Sequence, residues 1–556
     1  NCKMKSDFKI FKQIINLLNG SIKKNFYLAI VFLILGMLVE FLSIYIIFPL
    51  IDFLKDDKNI EIINELFNLS FSNREFIVVA LSGFLIIYLA RFFLLVFLNY
   101  VLNKIIQSLH KYIFQNIYVS IQKLDYKNLL KTNKSDIINL LQLDLNRFTK
   151  YLTSFFQLIS ESVLIFGIMT ALLIMKPIET ILLFLISFPF FYLSTVWINK
   201  KMNQLGNENV INLNETTDVL DLTHSFYKEI KIFDLINYFQ SKASNLIDKS
   251  TKIWLSQAIL NILPRYFLET FSVLFFITYL LTSLIFLNKD LLELISVASV
   301  FGLSAVKLLP SLGKFSLLIN EIKFNQKSTL LIINRLKENH SDYYQFSEME
   351  INNLSLKDGF FKFNKTSQIK NISFNVESGD RLLIKGISGS GKSTLINLIL
   401  GLYYFERGEF KINNKIIYEP LYSVTSIGYV SQNTLLFDQT LIENIVLNKE
   451  LDTIKINKIK QACLLDDLFE SFSENLTIGI NGNKLSGGQK QRLSIARALY
   501  HYNNLLILDE ATSSMDKEIE KAILDNIFRY NLNDIIIFTT HNNDYWGYST
   551  KTIEIK

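Results

Sequence analysis

The sequence predicts an α-helical membrane domain with six transmembrane helices, followed by an α/β domain built on a phosphate loop. Three features carry this. Six long apolar runs crowd the first 335 residues, a glycine-rich loop of the G-x-x-x-x-G-K-[ST] form lies beyond them, and an apolar strand-like run there ends in two adjacent carboxylates. Half of the 556 residues are hydrophobic, and the mean hydropathy is +0.27. The chain is too long for one ordinary domain. The division expected is a membrane domain over residues 1–335, a linker over 336–347 and the phosphate-loop domain over 348–556.

The expected spans are Phe26–Leu50, Phe76–Tyr100, Leu152–Met175, Ile181–Ile198, Tyr266–Leu287 and Leu292–Leu317. Each approaches the ~20 residues needed to cross a bilayer core. The first run is too long for a cleavable signal peptide and lacks a small-residue cleavage pattern, so no leader is expected. Lysines crowd the segment between spans two and three (Lys104, Lys111, Lys123, Lys127, Lys131, Lys134). They crowd the one between spans four and five as well (Lys200, Lys201, Lys228, Lys231, Lys242, Lys249, Lys252). This positive-inside bias places both long segments, both termini and the C-terminal domain in the cytoplasm. It also accounts for the net charge of +6 without a nucleic-acid partner. Cys2 and Cys463 would both face the reducing side, so neither a disulfide nor a metal site is expected. Ile and Leu at three- and four-residue spacings make the long segments helix-compatible.

The loop Gly386-Ile387-Ser388-Gly389-Ser390-Gly391-Lys392-Ser393-Thr394 follows the strand-like run Arg381–Lys385 and precedes the helix-like run Leu395–Leu400. Glycines let successive N–H groups point at a phosphate, and the helix N-terminus adds its dipole. Lys392 would reach the β- and γ-phosphates and Ser393 would ligate Mg²⁺. Downstream come Leu485-Ser486-Gly487-Gly488-Gln489, then Leu505-Leu506-Ile507-Leu508-Asp509-Glu510. At a strand end, Asp509 can hold Mg²⁺ through water and Glu510 can polarise an attacking water. Ser513-Ser514-Met515-Asp516 and Ile535-Ile536-Ile537-Phe538-Thr539-Thr540-His541 complete the series.

In order and spacing these motifs resemble the nucleotide-binding domain of the ATP-binding cassette (ABC) family, over roughly Glu348 to Lys556. The resemblance implies ATP and Mg²⁺ as ligands and ATP hydrolysis as the activity. It implies nucleotide contacts from Gly386 and Ser388 through Thr394, and from Asp509. It makes Gln432, in Tyr429-Val430-Ser431-Gln432, the magnesium-sensing glutamine, Glu510 the catalytic base and His541 the switch histidine. Ser486, Gly487, Gly488 and Gln489 become the signature loop that meets the γ-phosphate held by another subunit. Phe363, with Phe361 as second candidate, sits where an aromatic stacks on adenine, although both also fit a strand core. Three departures stand out. Ile480 replaces the usual glutamate before the signature, which puts the contact with a partner's coupling helix in doubt. The adenine aromatic is Phe rather than Tyr. The sequence stops soon after His541, with the usual glycine-containing closing hairpin missing or cut away.

The N-terminal part is similar to the exporter type of this family, whose membrane helices run far into the cytoplasm and end in short coupling helices. These are expected near Asp125–Lys134 and Asp221–Ile230. One membrane domain and one cassette make half a transporter. Intact phosphate and signature loops in one chain make a homodimer the simplest assembly, since a heterodimer, the alternative, more often shows a degraded signature or base. Six spans exclude a soluble ABC factor, and the base at Glu510 argues against a channel-gating or receptor role.

Ionisable residues inside spans are functional candidates. Arg91, Lys307 and Lys314 could line a cavity for an anionic lipid head group such as a pyrophosphate. They could equally snorkel to the interface or pair with Glu40, Glu161 or Glu269. Glu40-Phe41-Leu42-Ser43-Ile44, Phe48-Pro49-Leu50-Ile51 and Pro264-Arg265-Tyr266-Phe267-Leu268-Glu269 resemble segments of the bacterial lipid-linked oligosaccharide flippases of N-glycosylation systems. That resemblance implies a bacterial inner-membrane location, a lipid-linked anionic cargo met by the three cations, and a short external helix over Lys58–Phe71. Two of the three are Lys, which lacks arginine's bidentate fork. An exporter of peptides, drugs or another lipid such as lipid A would share this architecture.

Overall fold

The computed structural model describes residues 2–18, 20–45, 73–285, 291–337, 349–362, 368–387, 389–416, 421, 427–473, 475–502, 504–530, 534–540 and 543–555. The chain folds into two compact units, one of Asn1–Leu124 and Lys131–His340, the other of Asp125–Leu130 and Ser341–Lys556.

The first unit is helical. Among the described residues it contains six long helices: α1 (Gly20–Tyr45), α2 (Asn73–Gln122), α3 (Leu145–Met175), α4 (Pro177–Ser225), α5 (Ile236–Ile285) and α6 (Leu291–Phe324). Each carries one of the six expected spans, as far as its residues are described. Four described stretches are long and apolar enough to cross a membrane: Leu81–Gln122, Lys134–Met175, Ile236–Ile285 and Val300–Phe324. Phe92, Phe93 and Phe97 of α2 stay exposed, which is ordinary for a helix surrounded by hydrocarbon. Helix α3 packs on α6, α4 on α5, and α1 on α2. The helix Cys2–Leu17 buries Ile10, Phe11 and Ile14, and the Phe11 ring stacks on Phe155 with centroids 4.2 Å apart. Carboxamides tie helices together: Asn212 Nδ2 donates to Ser250 Oγ at 2.7 Å, and Asn320 Nδ2 donates to the Leu260 carbonyl at 3.1 Å.

The long cytoplasmic segments expected from the sequence are continuous with the membrane helices. Helix α2 runs to Gln122 and α4 to Ser225. The short helix Tyr126–Leu129 falls inside the first expected coupling segment. The second is displaced: α4 still occupies Asp221–Ser225, and the short helix is Tyr227–Ile232. The expected external helix at Lys58–Phe71 lies outside the described residues.

The second unit holds two sheets. Strands β1 (Asn353–Lys362), β2 (Gln368–Glu377), β4 (Arg407–Ile412) and β5 (Lys415–Ile416) form an antiparallel sheet in the order β2-β1-β4-β5. Strands β3 (Arg381–Lys385), β6 (Ile427–Val430), β7 (Leu505–Asp509), β8 (Ile535–Thr539) and β9 (Lys551–Glu554) form a parallel sheet in the order β6-β7-β8-β3-β9. Every residue of β7 and β8 is buried. That fits their unbroken apolar runs, as in a parallel sheet covered on both faces. Helix α7 (Lys392–Leu400) buries Leu395, Ile396 and Ile399 in the core with Leu382 and Ile384. Helix α8 (Gly487–His501) buries Leu493, Ala496 and Leu499 in the core with Leu383 and Leu508. Tyr126, on the segment that belongs to this unit, sets its ring edge-on to Tyr403 at 5.6 Å. Cys463 is buried, and burial pushes its thiol pKa up to about 12, so it behaves as a small apolar core residue.

A candidate nucleotide site at the strand ends

Ligand sites in open parallel sheets form at the carboxyl ends of the strands. Here β3 leads into the phosphate loop and β7 ends at Asp509, with β8 between them. Thr539 of β8 is in register with both Ile384 and Asp509.

The loop needs its glycines. Gly389 and Gly391 have φ of +82° and +105°, a region in which a Cβ is strained. At Gly386 an added Cβ would lie 2.3 Å from Ser390 Oγ and 2.9 Å from the Ile555 carbonyl. The Ser390 hydroxyl is buried without a hydrogen-bond partner among the described residues. That orphaned donor, beside the start of α7, fits a phosphate oxygen. Lys392 Nζ donates to the Gly386 carbonyl at 3.0 Å and to that of Ile387 at 3.4 Å, and lies 3.9 Å from Glu510 Oε1.

Asp509 is 3% exposed. Burial holds its carboxyl above the usual aspartate range and the Glu510 charge adds to this, against hydroxyl bonds from Ser393 and Thr539 and the Lys392 charge. A cation beside Asp509 and Ser393 would relieve that cost, since a serine hydroxyl with a carboxylate is the oxygen donor set of Mg²⁺ sites. Glu510 has φ +48°, an uncommon value for a non-glycine residue and one associated with functional sites. Its Oε2 accepts from Gln432 Nε2 at 2.7 Å. The fold therefore gathers Lys392, Ser393, Asp509, Glu510 and Gln432 from three strand ends. Ser388, Phe363 and His541 lie outside the described residues. Phe361 is buried beside Tyr403, with ring centroids 5.4 Å apart, so it serves the strand core rather than an adenine.

Thr539 joins this site without any motif of its own. Its hydroxyl donates to Asp509 Oδ1 at 2.9 Å and accepts from the Glu510 N–H at 2.9 Å. The one available signal was a polar residue closing an otherwise apolar strand.

The Leu485–Gln489 motif caps α8. Ser486 and Gln489 form a reciprocal capping box: the Ser486 N–H donates to Gln489 Oε1 at 2.8 Å, and the Gln489 N–H donates to Ser486 Oγ at 3.3 Å. A Cβ on Gly488 would come within 3.2 Å of the Ser514 carbonyl. Gln491 ties the helix to the loop after β7, donating to Ser513 Oγ and accepting from the Ser514 N–H. Ile480 is 71% exposed, an apolar surface where a charge was expected.

The three membrane-domain cations are not equivalent. Lys314 Nζ forms an ion pair with Glu161 Oε1 at 2.7 Å, one of the pairings that the sequence left open. Glu269 pairs with Arg265 Nε at 2.7 Å. The Arg91 guanidinium lies over the Tyr88 ring at 5.1 Å. Lys307 is half-buried on α6, which continues through Pro310 without a break. Lys314 lines a polar cavity that neither Arg91 nor Lys307 lines, so the three do not form one cation cluster in that cavity.

Comparison with known proteins agrees with this geometry. The ABC transporter family matches residues 369–513, and the ABC transporter transmembrane region matches residues 26–304. The ATP-dependent lipid A-core flippase of Francisella novicida is 27% identical over 425 residues, covering 74% of this chain and 71% of that protein. The flippase of the same name from Francisella tularensis subsp. tularensis is 31% identical over 350 residues, covering 60% of this chain and 57% of that protein. A solved bacterial Atm1-family ABC exporter with ATP bound superposes with a TM-score of 0.77 at 18% identity, covering 97% of this chain and 94% of that one. The membrane helices, the strand-end site and these likenesses converge: the chain belongs to the ABC transporter family, as a multi-pass exporter half-transporter that couples ATP hydrolysis to transport.

Proposed function

We propose that two copies of this chain hydrolyse ATP-Mg²⁺ to move an amphipathic glycolipid, a polyprenyl-pyrophosphate-linked oligosaccharide, across a bacterial inner membrane. Within each ATP site, Lys392 would hold the β- and γ-phosphates, Ser393 and Asp509 would hold Mg²⁺, and Glu510 would polarise the attacking water, with Gln432 beside it. The signature residues Ser486, Gly487, Gly488 and Gln489 of the second copy close over the γ-phosphate. Mg²⁺ would neutralise charge on the transferred phosphoryl group.

The observation that carries the hydrolytic part is the meeting of Glu510 with Lys392 and Gln432 at the strand ends. The cargo rests on the segments Glu40–Ile51 and Pro264–Glu269, and on cations placed within membrane helices. Arg91, Lys307 and Lys314 are the candidates for the anionic group, and of these Lys314 is held by the Glu161 carboxylate. Lipid A is the second reading, favoured by relatives named lipid A-core flippase. Both cargoes join sugars to hydrocarbon.

The test is reconstitution in liposomes, with ATPase stimulation and translocation measured for polyprenyl-pyrophosphate glycans, lipid A and peptides. Stimulation and movement by the first class supports the proposal. A response to lipid A alone moves the assignment to the second reading, and a response to peptides alone removes both.

A further inference from the structure

Helices α1, α2, α3 and α6 enclose a cavity of about 130 Å³. Its polar wall comes from Asn99 and Asn103 of α2, from Thr153, Gln157, Ser160 and Glu161 of α3, and from Lys314 of α6. Seven polar side chains gathered at one level of the membrane helices need a reason, since polar groups within spans are costly, and Asn99, Asn103, Gln157 and Lys314 among them are exposed and open to a ligand. Helix geometry does not supply that reason. The Asn99 and Asn103 Nδ2 groups each donate to a backbone carbonyl one turn back, which leaves both amide oxygens as acceptors. Among the described residues, Gln157 and Ser160 have no side-chain hydrogen-bond partner.

The charge balance of the cavity is informative. Its one cation, Lys314, meets its one anion, Glu161, at 2.7 Å. A pyrophosphate entering here would find that charge already neutralised by a carboxylate. An uncharged polyol would find amide and carboxylate acceptors beside ammonium, amide and hydroxyl donors, which matches the mixed donor–acceptor character of sugar hydroxyls. Phe32 and Phe156 give the same cavity an apolar wall for a ring face.

A second cavity places the rest of such a molecule. About 12 Å further along α3, α3, α4, α5 and α6 enclose an apolar space of about 190 Å³, lined by Met169, Leu172, Phe276, Phe301 and Leu308 among others. Both cavities share α3 and α6. The polar one lies at the end of these spans that the lysine bias makes cytoplasmic, and the apolar one lies deeper.

We propose that the polar cavity is a hydrogen-bonding subsite for the uncharged, hydroxyl-rich glycan of the lipid cargo, and that the Lys314–Glu161 pair acts there as a neutral donor–acceptor couple rather than as an anion cradle. This rests on the glycolipid reading given above.

The test compares binding of farnesyl diphosphate with that of farnesyl-diphosphate-linked N-acetylglucosamine, using the full-length protein in nanodiscs. Wild type should bind the sugar-bearing lipid about tenfold more tightly, the worth of one or two net hydrogen bonds. Gln157→Leu combined with Asn103→Leu should erase that preference while leaving affinity for the bare diphosphate unchanged, which also shows that the variant is folded. Glu161→Gln combined with Lys314→Met should likewise leave the bare-diphosphate affinity within twofold. A wild type that binds both lipids equally overturns the subsite but keeps the lipid reading. A tenfold loss of bare-diphosphate binding in the Glu161→Gln, Lys314→Met variant overturns it in favour of an anion cradle. Binding of neither lipid overturns the subsite and the glycolipid reading together.

Discussion

At the scale of single residues, the hydrolytic site separates binding from chemistry. Glu510→Gln keeps the phosphate cradle and the Gln432 contact but removes the carboxylate proposed to polarise water. Its ATPase rate should fall at least about a hundredfold, as for loss of a general base, with ATP affinity retained in equilibrium binding. A wild-type rate would remove Glu510 from this role. Lys392→Ala should instead weaken ATP binding itself. Thr539 acts through its neighbours. Thr539→Val leaves the Glu510 N–H without its acceptor and Asp509 without one of its donors, a cost of about 1–3 kcal/mol. ATPase should drop about tenfold on that energy scale, and Thr539→Ser should restore it. If valine and serine behave alike, the hydroxyl has no positioning role.

At the scale of elements, close approach and one ion pair govern two contacts. A Cβ on Gly206 of α4 would sit 2.1 Å from the Phe324 carbonyl of α6. Backbone cannot yield as a side-chain tip can, so Gly206→Ala must push the two helices apart, costing about 1–3 kcal/mol. The expected readout is a lower thermal midpoint with the nucleotide site still able to bind ATP. An unchanged midpoint would mean that the crossing is looser than described. In the second unit, Arg492 of α8 holds Asp467 through two bonds of 3.1 Å. These bonds keep the Asp467 carboxyl below its ordinary value of 3.8. The stability gained is present above that value and is lost as pH falls through the depressed one. Asp467 is well exposed, so solvent screening limits the effect to about 1 kcal/mol or less. Asp467→Asn should lower the thermal midpoint at neutral pH, and its gap from wild type should close in acid. A gap independent of pH would point to packing instead.

At the scale of the whole molecule, the question is whether one chain suffices. Phosphate loop and signature loop are both intact, and the proposed ATP site joins them from different copies. Lys392→Ala chains and Ser486→Arg chains should each be inactive alone. Mixed and co-assembled, half of the dimers carry one site built from an intact phosphate loop and an intact signature. Roughly a quarter of wild-type ATPase should then return, by random pairing in a two-fold assembly. Full-rate hydrolysis by monomers would end the composite-site argument.

Periodicity and motif spacing sufficed for much of this protein. Apolar runs near bilayer length have few places to go except across a membrane, so the helical domain was legible from hydropathy. The phosphate loop, the signature and the Asp509-Glu510 strand end were legible because each compresses its chemistry into a few adjacent residues. Tertiary structure decided what depends on residues far apart in sequence. It put Thr539 between Asp509 and the phosphate-loop strand, because β8 inserts between β7 and β3. It assigned Phe361 to the strand core beside Tyr403 and shifted the second short helix to Tyr227–Ile232. It also gave Lys314 to Glu161, which lies on a different helix far away in sequence. A one-dimensional pattern records which side chains are charged or apolar. Whether a charge within a membrane span is spent on a neighbour or left for a ligand is fixed only when helices pack and choose its partner.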